Sequence, residues 1–424
     1  LLSIVEQRAL ERADAVDRGE ITGKLAGVPF IAKDNFLTLG GPTTAASSFL
    51  EHFEAPLQAT AIEKLEAEGA ILIAKAKLDA FAHGGSTENS AFGPTKNAFD
   101  QERVAGGSSG GSAVAVALGI VPFTLGTDTG GSIRQPASFN GVVGVKPTYG
   151  TVSRYGVVAM ASSTDTIGVL SESVADAELV MSIISGQDKK DMTTLPDFFS
   201  AAPSESALKI GIIKESMTED VDADVRSAVQ SYIERLKQSG HEVEEVSFPL
   251  LKYALAIYYI VVPAEISSNL GRYDGVRYGR RADSGTLSEL YGKSRDEGFM
   301  TENKRRIMIG SYVLSSGFFD AYYLQAQKAR TLLINDFNAL FEKYDVLISP
   351  TAPTAAFAIG ENVADPIKMY LADVMTVPAS LAGLPAVSVP AGKTDAGLPI
   401  GVQLIGKRRD DARLLALAKT MEEK

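Results

Sequence analysis

Cysteine and tryptophan are absent from the 424 residues, and histidine occurs only three times. Without a thiol the chain can form neither a disulfide bond nor a four-cysteine zinc site, and it has no thiol nucleophile. This excludes the thiol glutaminases, the nitrilases and the papain-like enzymes. The three histidines, His52, His83 and His241, are too scattered to suggest a histidine-rich zinc site.

Positive charge is also scarce, because 41 Lys and Arg stand against 52 Asp and Glu, which gives a formal net charge of -11. A chain of this charge is not expected to grip a nucleic-acid backbone by itself. No apolar run approaches the ~18 residues of a membrane helix. The longest run, around Tyr253–Ile266, is interrupted by Pro263. We therefore expect no association with a membrane.

Strand patterns alternate with helix patterns along the chain, which predicts an α/β protein with a largely parallel or mixed central β-sheet flanked by helices. No internal repeat divides the sequence, so we expect one large domain over residues 1–424. The clearest predicted strands are Ile71–Ala74, Val121–Leu125, Leu208–Ile213, Glu242–Val246, Val346–Ser349, Ala386–Val389 and Gly401–Ile405. The clearest predicted helices are Ala59–Glu68, Ala113–Leu118, one from about Asp224, and Asp411–Met421.

Glycine is abundant in one region only. The chain has 39 glycines, and fourteen of them lie in the 67 residues from Gly84 to Gly150. That is about 21% locally, against a usual ~7%. Backbone that must approach another group closely, or adopt positive φ, requires this residue. The region therefore becomes the first candidate for a functional site.

Two glycine-rich loops in this region flank a helix of small residues. The first is Gly106–Ser112, and the second is Gly126–Pro136, which follows a predicted strand. Loops of this kind beside a helix start are anion-binding cradles, because free N–H groups point outward there. The residue types in the loops are compatible with several chemistries, which must be compared.

Three familiar interpretations fit poorly. A phosphate loop would need a Lys-Ser/Thr pair after the glycines, and none follows. A serine hydrolase elbow would place the nucleophile at Ser108 within Gly106–Gly110, but the preceding residues are a poor strand and the only downstream histidine is His241. An aspartic protease would pair Asp128 with Asp283, yet Asp283 lies in a polar segment typical of a turn or helix cap.

A fourth interpretation, a Ser-Ser-Lys amide hydrolase, accounts for both loops. Gly106–Ser112 and Thr127–Pro136, with Phe30–Asn35 upstream, resemble the amidase signature family. By this resemblance the three active-site positions, which are 75 and 24 residues apart, are Lys33, Ser108 and Ser132. The family's N-terminal helical segment would be largely absent before Leu1. This chemistry requires neither cysteine nor histidine.

The resemblance implies a role for each of these residues. Ser132 is the expected nucleophile, Ser108 the proton relay, and Lys33 the base. Lys33 must be neutral to accept a proton, so its pKa has to fall from ~10.4 to ~7–8. The family also places a cis peptide before the relay serine, here Gly107–Ser108. The expected oxyanion hole consists of the N–H groups of Thr129, Gly130, Gly131 and Ser132.

Three further segments resemble one branch of the family, the glutamine-hydrolysing A subunits of tRNA-dependent amidotransferases. They are Gly85–Pro94, Lys146–Gly150 and Leu314–Tyr323. A free amino acid carries a carboxylate and an ammonium, so its pocket requires a cation and an anion. The resemblance assigns these roles to Arg306 and Asp373, with Tyr258 alongside. Asp128 and Arg134 are expected to brace the second glycine-rich loop rather than to react.

The branch also implies partners. Glutamine is the expected substrate, and no cofactor is expected in this chain. ATP and magnesium are expected on a B subunit, which would also make most of the contacts with the aminoacyl-tRNA, and a small C subunit completes the assembly. We expect a cytoplasmic protein, with an organellar location left open because the chain begins without Met. The alternatives are a free-standing amidase for another carboxamide and a non-catalytic scaffold subunit.

Overall fold

The computed structural model describes residues 1–196 and 207–422, and within them a single mixed sheet of eleven strands forms the centre of the molecule. The strands are β1 (Ser3–Ile4), β2 (Pro29–Lys33), β3 (Ile71–Ala76), β4 (Phe123–Asp128), β5 (Val143–Lys146), β6 (Thr166–Ser171), β7 (Lys209–Ile213), β8 (Glu242–Val246), β9 (Val346–Pro350), β10 (Ala386–Lys393) and β11 (Pro399–Gly406).

The strand order across the sheet is β1-β3-β2-β4-β6-β5-β10-β11-β9-β7-β8. Strands β2 and β3, β2 and β4, β7 and β8, and β7 and β9 pair in parallel. The other neighbours are antiparallel. The predicted α/β class with a mixed sheet is therefore confirmed. Every predicted strand is present, and the largest difference is in β10, which continues past Val389 to Lys393.

The described residues form thirteen α-helices around this sheet. They are α1 (Glu6–Asp17), α2 (Thr60–Ala67), α3 (Gly110–Ala117), α4 (Arg134–Asn140), α5 (Val174–Ile184), α6 (Ala223–Gln238), α7 (Leu251–Asn269), α8 (Leu287–Gly298), α9 (Thr301–Val313), α10 (Leu324–Leu340), α11 (Pro366–Leu371), α12 (Val377–Leu381) and α13 (Asp411–Thr420).

Apolar side chains cover both faces of the sheet. Helices α2, α5, α6 and α13 contribute to one large buried cluster, and α7, α10 and α12 contribute to a second. Both clusters also contain strand residues, for example Val402 in the first and Ile405 in the second. Successive strand side chains point to opposite faces, so one sheet can serve two cores. The result is a three-layer arrangement.

Helix α7 corrects one expectation. Pro263 does not interrupt the apolar run, because α7 continues through it from Leu251 to Asn269. Gly310 of α9 lies directly against this point, where a β-carbon would stand 1.9 Å from the Pro263 carbonyl oxygen. Within the described residues, this helix and its 3-10 extension form the one segment long and apolar enough to cross a membrane. Half of it is buried in the protein, against α9, α10 and α12.

The sheet topology brings the two glycine-rich loops to the residue that ends β2. Strands β2 and β4 are parallel neighbours, with Ala32 paired to Leu125. The carboxyl ends of parallel strands lie at the same edge of a sheet, so Lys33 at the end of β2 meets Thr127 near the end of β4. Helix α3 follows the first glycine-rich loop and α4 follows the second. Residues far apart in sequence therefore converge on one point.

Candidate active site

Lys33 lies at the centre of a buried polar cluster that we call the catalytic network: Lys33, Ser108, Ser109 and Thr127. Its Nζ is 2.8 Å from Ser108 Oγ, 2.8 Å from Ser109 Oγ, 2.9 Å from Thr127 Oγ1 and 3.2 Å from the Thr127 carbonyl oxygen. A neutral amine has two N–H donors and one lone pair. One hydroxyl can therefore donate to Nζ, and the contact with Ser108 is a direct route for a proton.

Burial controls the protonation of Lys33. The side chain is fully buried, and loss of hydration lowers the pKa of Lys33 to about 7. The carboxylates of Asp79, Asp128 and Asp165 act in the opposite direction but do not cancel this effect. The neutral form of the lysine is thus well populated near neutral pH, as a base requires.

Ser108 lies in the first glycine-rich loop, which is hydrogen-bonded to the second. The Gly107–Ser108 peptide is cis, as the resemblance implied. The Gly107 N–H donates to Gln135 Oε1 at 2.9 Å, and the Ser109 N–H donates to the Ser132 carbonyl oxygen at 3.1 Å. These bonds connect the first loop to the second loop and to α4. The structure therefore brings all three predicted active-site residues into one region.

Ser132 occupies the turn between β4 and α4. Its exposed fraction is 8%, whereas Lys33 and Ser108 are both fully buried. Of the three predicted residues, Ser132 is thus the one that a substrate can reach. This order of burial is the one expected for a nucleophile served by a relay and a base behind it.

The predicted oxyanion hole has free donors. Within the described part of the chain, the N–H groups of Thr129, Gly130, Gly131 and Ser132 donate to no protein acceptor. Two of these positions require glycine, because another side chain packs directly against the backbone there. A β-carbon on Gly130 would stand 2.7 Å from Tyr258 Oη, and one on Gly131 would stand 2.1 Å from Thr376 Oγ1. The loop therefore presents bare backbone donors beside Ser132.

A buried ion pair stabilises the second glycine-rich loop. Arg134 Nη2 is 2.9 Å from Asp128 Oδ1, and both side chains are fully buried. Arg134 also donates to the Thr376 carbonyl oxygen at 2.9 Å and to Ser380 Oγ at 2.8 Å. Asp128 accepts the Ile133 N–H at 3.2 Å. The geometry matches the expected bracing role of Asp128 and Arg134, because both side chains are buried and bonded to other protein groups.

Asp79 is a buried acid that the sequence did not single out. Its carboxylate accepts the N–H groups of Thr87 and Asn89 at 2.9 and 3.0 Å. Burial raises the pKa of Asp79 to about 7, although these two hydrogen bonds oppose the shift. A β-carbon on Gly107 would stand 2.2 Å from Asp79 Oδ2. Asp79 therefore fixes the Gly84–Asn89 loop against the cis peptide.

Of the predicted amino-acid ligands, Arg306 lines a cavity of about 260 Å³, together with Gly85 and Tyr370. We call this cavity the recognition pocket, and we include with it Asp373, which lies against Gly85, Tyr259, which stacks on Tyr370, and Tyr258, which packs on Tyr259. Arg306, in α9, is buried and lines the cavity. Asp373 follows α11 and lies against Gly85, where a β-carbon would stand 3.5 Å from its carboxylate. The predicted cation therefore lines the cavity, and the predicted anion lies against Gly85, a residue of the cavity wall.

The two adjacent tyrosines divide their contacts. Tyr258 packs on Gly130 of the oxyanion loop, and Tyr259 packs 5.2 Å from the Arg306 guanidinium. Their rings meet edge to face at 5.1 Å. Tyr258 therefore connects the recognition pocket to the loop that carries Ser132, while Tyr259 lies beside the cation.

The charges of this pocket are incompletely neutralised by the protein. Burial raises the pKa of Asp373 to about 7, with Arg306 acting in the opposite direction. In the part of the chain that the structure describes, no hydrogen bond reaches the Asp373 carboxylate, and Arg306 donates only through Nε, to Glu302 at 2.8 Å. A zwitterionic ligand could supply both missing partners.

The other interpretations of the glycine-rich loops find no support in the placement of their residues. His241 directly precedes β8, the edge strand at the end of the sheet far from β2, and its Nδ1 accepts the Leu208 N–H at 3.1 Å. Asp283 is exposed to solvent, whereas Asp128 is buried in its ion pair. Among residues 1–196 and 207–422, no group of three or more His, Asp or Glu side chains could hold a metal ion.

The site geometry and the sequence comparisons agree. The chain belongs to the amidase family, whose model matches residues 1–415. It is 52% identical to the glutamyl-tRNA(Gln) amidotransferase A chain of Thermosynechococcus vestitus, an alignment that covers all of this chain and 90% of that protein. The corresponding protein of Nostoc sp. is 53% identical with equal coverage. The crystal structure of the corresponding protein from Thermotoga maritima matches with a TM-score of 0.82 and 41% identity, over 99% of this chain and 91% of that one.

Proposed function

We propose that the chain is the glutaminase subunit of a tRNA-dependent amidotransferase, which hydrolyses glutamine and supplies ammonia for converting Glu-tRNA(Gln), Asp-tRNA(Asn) or both to the amide form. The observation that carries the proposal is the buried Lys33 Nζ, 2.8 Å from Ser108 Oγ, together with a cavity that Arg306 lines and whose Gly85 lies against Asp373. The full-length identity of about one half to the glutamyl-tRNA(Gln) amidotransferase relatives supports the same function.

The first half-reaction forms an ester. Ser132 Oγ attacks the carboxamide carbon and passes its proton to Ser108, which passes a proton to Lys33. The negative charge that develops on the carbonyl oxygen is stabilised by the backbone N–H groups of residues 129–132. Lys33 then returns a proton through Ser108 to the amide nitrogen. The C–N bond breaks, ammonia leaves, and a γ-glutamyl ester remains on Ser132.

The second half-reaction uses water in place of the serine. Lys33, neutral again, accepts a proton from water through Ser108, and the hydroxide attacks the ester carbon. Collapse of the tetrahedral intermediate releases glutamate and returns the proton to Ser132 Oγ. The relay therefore runs in both directions during one turnover, which requires a lysine whose pKa lies near 7 rather than near 10.

Recognition of free glutamine follows from the charges of the pocket. The Arg306 guanidinium binds the α-carboxylate and the Asp373 carboxylate binds the α-ammonium. Tyr258 lies between the charged groups of the pocket and Ser132, because it packs on Gly130 of the loop that carries Ser132. The carboxamide then lies at Ser132, while both charged groups of the amino acid are held away from it.

Ammonia is consumed elsewhere in the assembly. A B subunit binds ATP, magnesium and most of the aminoacyl-tRNA, and a C subunit joins it to this chain. The net charge of -11 fits a protein that does not itself bind the tRNA backbone. No cofactor is needed for glutamine hydrolysis in this chain. The cytoplasm, where bacterial relatives would meet their tRNA, is the proposed location.

Ammonia release from four amides tests this function. Glutamine is compared with asparagine, with glutaramic acid, which lacks the α-ammonium, and with 4-aminobutanamide, which lacks the α-carboxylate. Each is assayed with and without the candidate B and C subunits. We expect glutamine to be hydrolysed best and partners to increase its turnover. Equal rates on glutamine and 4-aminobutanamide would instead indicate a free-standing amidase for another carboxamide.

A further inference from the structure

We infer that Glu302 and Tyr370 are positioning residues that aim the Arg306 guanidinium at the substrate carboxylate, an inference that rests on the proposed function. Arg306 Nε donates to Glu302 Oε1 at 2.8 Å, and Tyr370 Oη donates to the same oxygen at 2.9 Å. One carboxylate oxygen therefore joins the cation of α9 to a residue of α11.

Glu302 accepts the hydrogen bond from Arg306 Nε, and this determines which N–H groups of the guanidinium remain available to a ligand. Arginine has five N–H donors in a rigid planar fork. Within the described residues, neither Nη atom of Arg306 has a protein acceptor. The end of the fork that carries both Nη atoms can therefore bind a carboxylate in a bidentate manner, while the side of the fork is held by Glu302.

Two aromatic rings restrict the remaining motion of Arg306. Tyr259 and Tyr370 stack with their ring centroids 3.8 Å apart and their planes at 22°. The Arg306 guanidinium carbon is 5.2 Å from the first centroid and 5.6 Å from the second. Cation–π attraction at these distances adds to the hydrogen bond from Nε. The guanidinium is thus fixed by contacts on two sides before any ligand arrives.

Tyr370 also connects the two charged halves of the recognition pocket. The Asp373 N–H donates to the Tyr370 carbonyl oxygen at 3.1 Å, so both residues belong to one turn. The segment whose Tyr370 positions Arg306 therefore also carries Asp373, the residue proposed to bind the α-ammonium. Disturbing Tyr370 should affect carboxylate recognition first, because its hydroxyl contacts the support of Arg306 directly.

Tyr370→Phe tests this role, since it removes the hydroxyl and keeps the ring. Loss of one hydrogen bond to a charged group predicts an increase of about tenfold in the KM for glutamine and for glutaramic acid. We expect kcat to stay within about twofold, because the groups at the reacting carbon are unchanged. The kinetics of 4-aminobutanamide should not change. Tyr291→Phe, at an exposed tyrosine of α8, is the matched control and should alter none of these values.

A double-mutant cycle with Arg306→Ala separates positioning from a general structural effect. If Tyr370 acts through Arg306, Tyr370→Phe should have no further effect on glutamine KM once Arg306 is removed. Additive effects would overturn the inference. So would an equal increase in KM for all three amides, or an unchanged KM for glutamine. If the wild-type protein hydrolyses glutamine and 4-aminobutanamide equally well, glutamine is not the specific substrate and the proposed function is wrong. This result is obtained before any variant is made, so it is distinguishable from a failure of the inference about Glu302 and Tyr370.

Discussion

The catalytic network and the recognition pocket are built in different ways. In the catalytic network, every polar atom around Lys33 Nζ belongs to a strand end or to one of the glycine-rich loops, and all four residues are buried. The recognition pocket draws its charged residues from α9 and from the segment after α11. The carboxylate of its anion, Asp373, accepts no hydrogen bond from residues 1–196 and 207–422, although burial raises its pKa to about 7.

The two regions differ in how many of their hydrogen bonds are already formed before the substrate binds. The catalytic network supplies its own hydrogen bonds, so it keeps one geometry and one low lysine pKa in the free protein. The recognition pocket leaves charged groups that only a ligand of opposite charges can satisfy. Substitutions in the network should therefore change turnover, and substitutions in the pocket should change substrate preference.

Ser132→Ala should produce the largest effect. Without the Oγ nucleophile, ammonia release from every amide should fall by at least about a thousandfold. Glutamine binding, measured by calorimetry, should be retained, because the pocket charges are intact. Ser231→Ala, at an exposed serine of α6, is the control and should remain active. Full activity of Ser132→Ala would remove Ser132 from the nucleophile role.

Arg306→Ala should have the next largest effect, but only on substrates with an α-carboxylate. Loss of a charge-assisted bidentate contact predicts a decrease of about a hundredfold in kcat/KM for glutamine and glutaramic acid, mainly through KM. Hydrolysis of 4-aminobutanamide should change little. If all three amides lose the same factor, Arg306 supports the fold of the pocket rather than the substrate carboxylate.

The pH profile separates the two regions without a substitution. Burial lowers the pKa of Lys33 to about 7, so the lysine is protonated and inactive as a base at lower pH. With glutaramic acid, which has no ammonium for Asp373 to bind, kcat/KM should rise about tenfold per pH unit below pH ~7 and level off above it. A rate that is independent of pH from about 5.5 to 8 would contradict the assignment of Lys33 as the base.

Ser109→Ala should have the smallest effect and defines how far the catalytic network extends. It removes one hydrogen bond to Lys33 and leaves the contacts with Ser108 and Thr127. We expect kcat to fall about fivefold with KM unchanged, which is the loss of one modest hydrogen bond. A loss as large as that of Ser132→Ala would mean that Ser109, not Ser108, relays the proton.

Site residues that lie within a sequence motif were predictable, and residues that contact the site from other parts of the chain were not. Lys33, Ser108 and Ser132 were assigned because three short motifs resemble the amidase signature family, and the structure brings the three residues into one region. Thr127 opens the third of these motifs, yet nothing local showed that its hydroxyl faces Lys33 across two parallel strands. Ser109 was masked by its neighbour Ser108, since both carry the same hydroxyl.

Contacts across elements explain the other omissions. Glu302 precedes Arg306 by one helical turn, which was a usable signal for an ion pair. Tyr370 reaches the same pair from a separate helix, and no sequence spacing predicts such a contact. The same limit applies to Pro263, where the close approach of Gly310 accompanies a helix that local propensity would have ended. Tertiary packing decided the cases of Tyr370 and Pro263, whereas the Glu302 pair lies within one helix.

The most direct test of the account is to locate the acyl group on the protein. Glutamine is mixed with the protein, turnover is stopped with acid, and the tryptic peptide 104–134, which contains Ser108, Ser109 and Ser132, is analysed by fragmentation mass spectrometry. We expect a γ-glutamyl ester on Ser132, absent from Ser132→Ala and undiminished by Tyr291→Phe. A γ-glutamyl ester on Ser108 or Ser109 would contradict it.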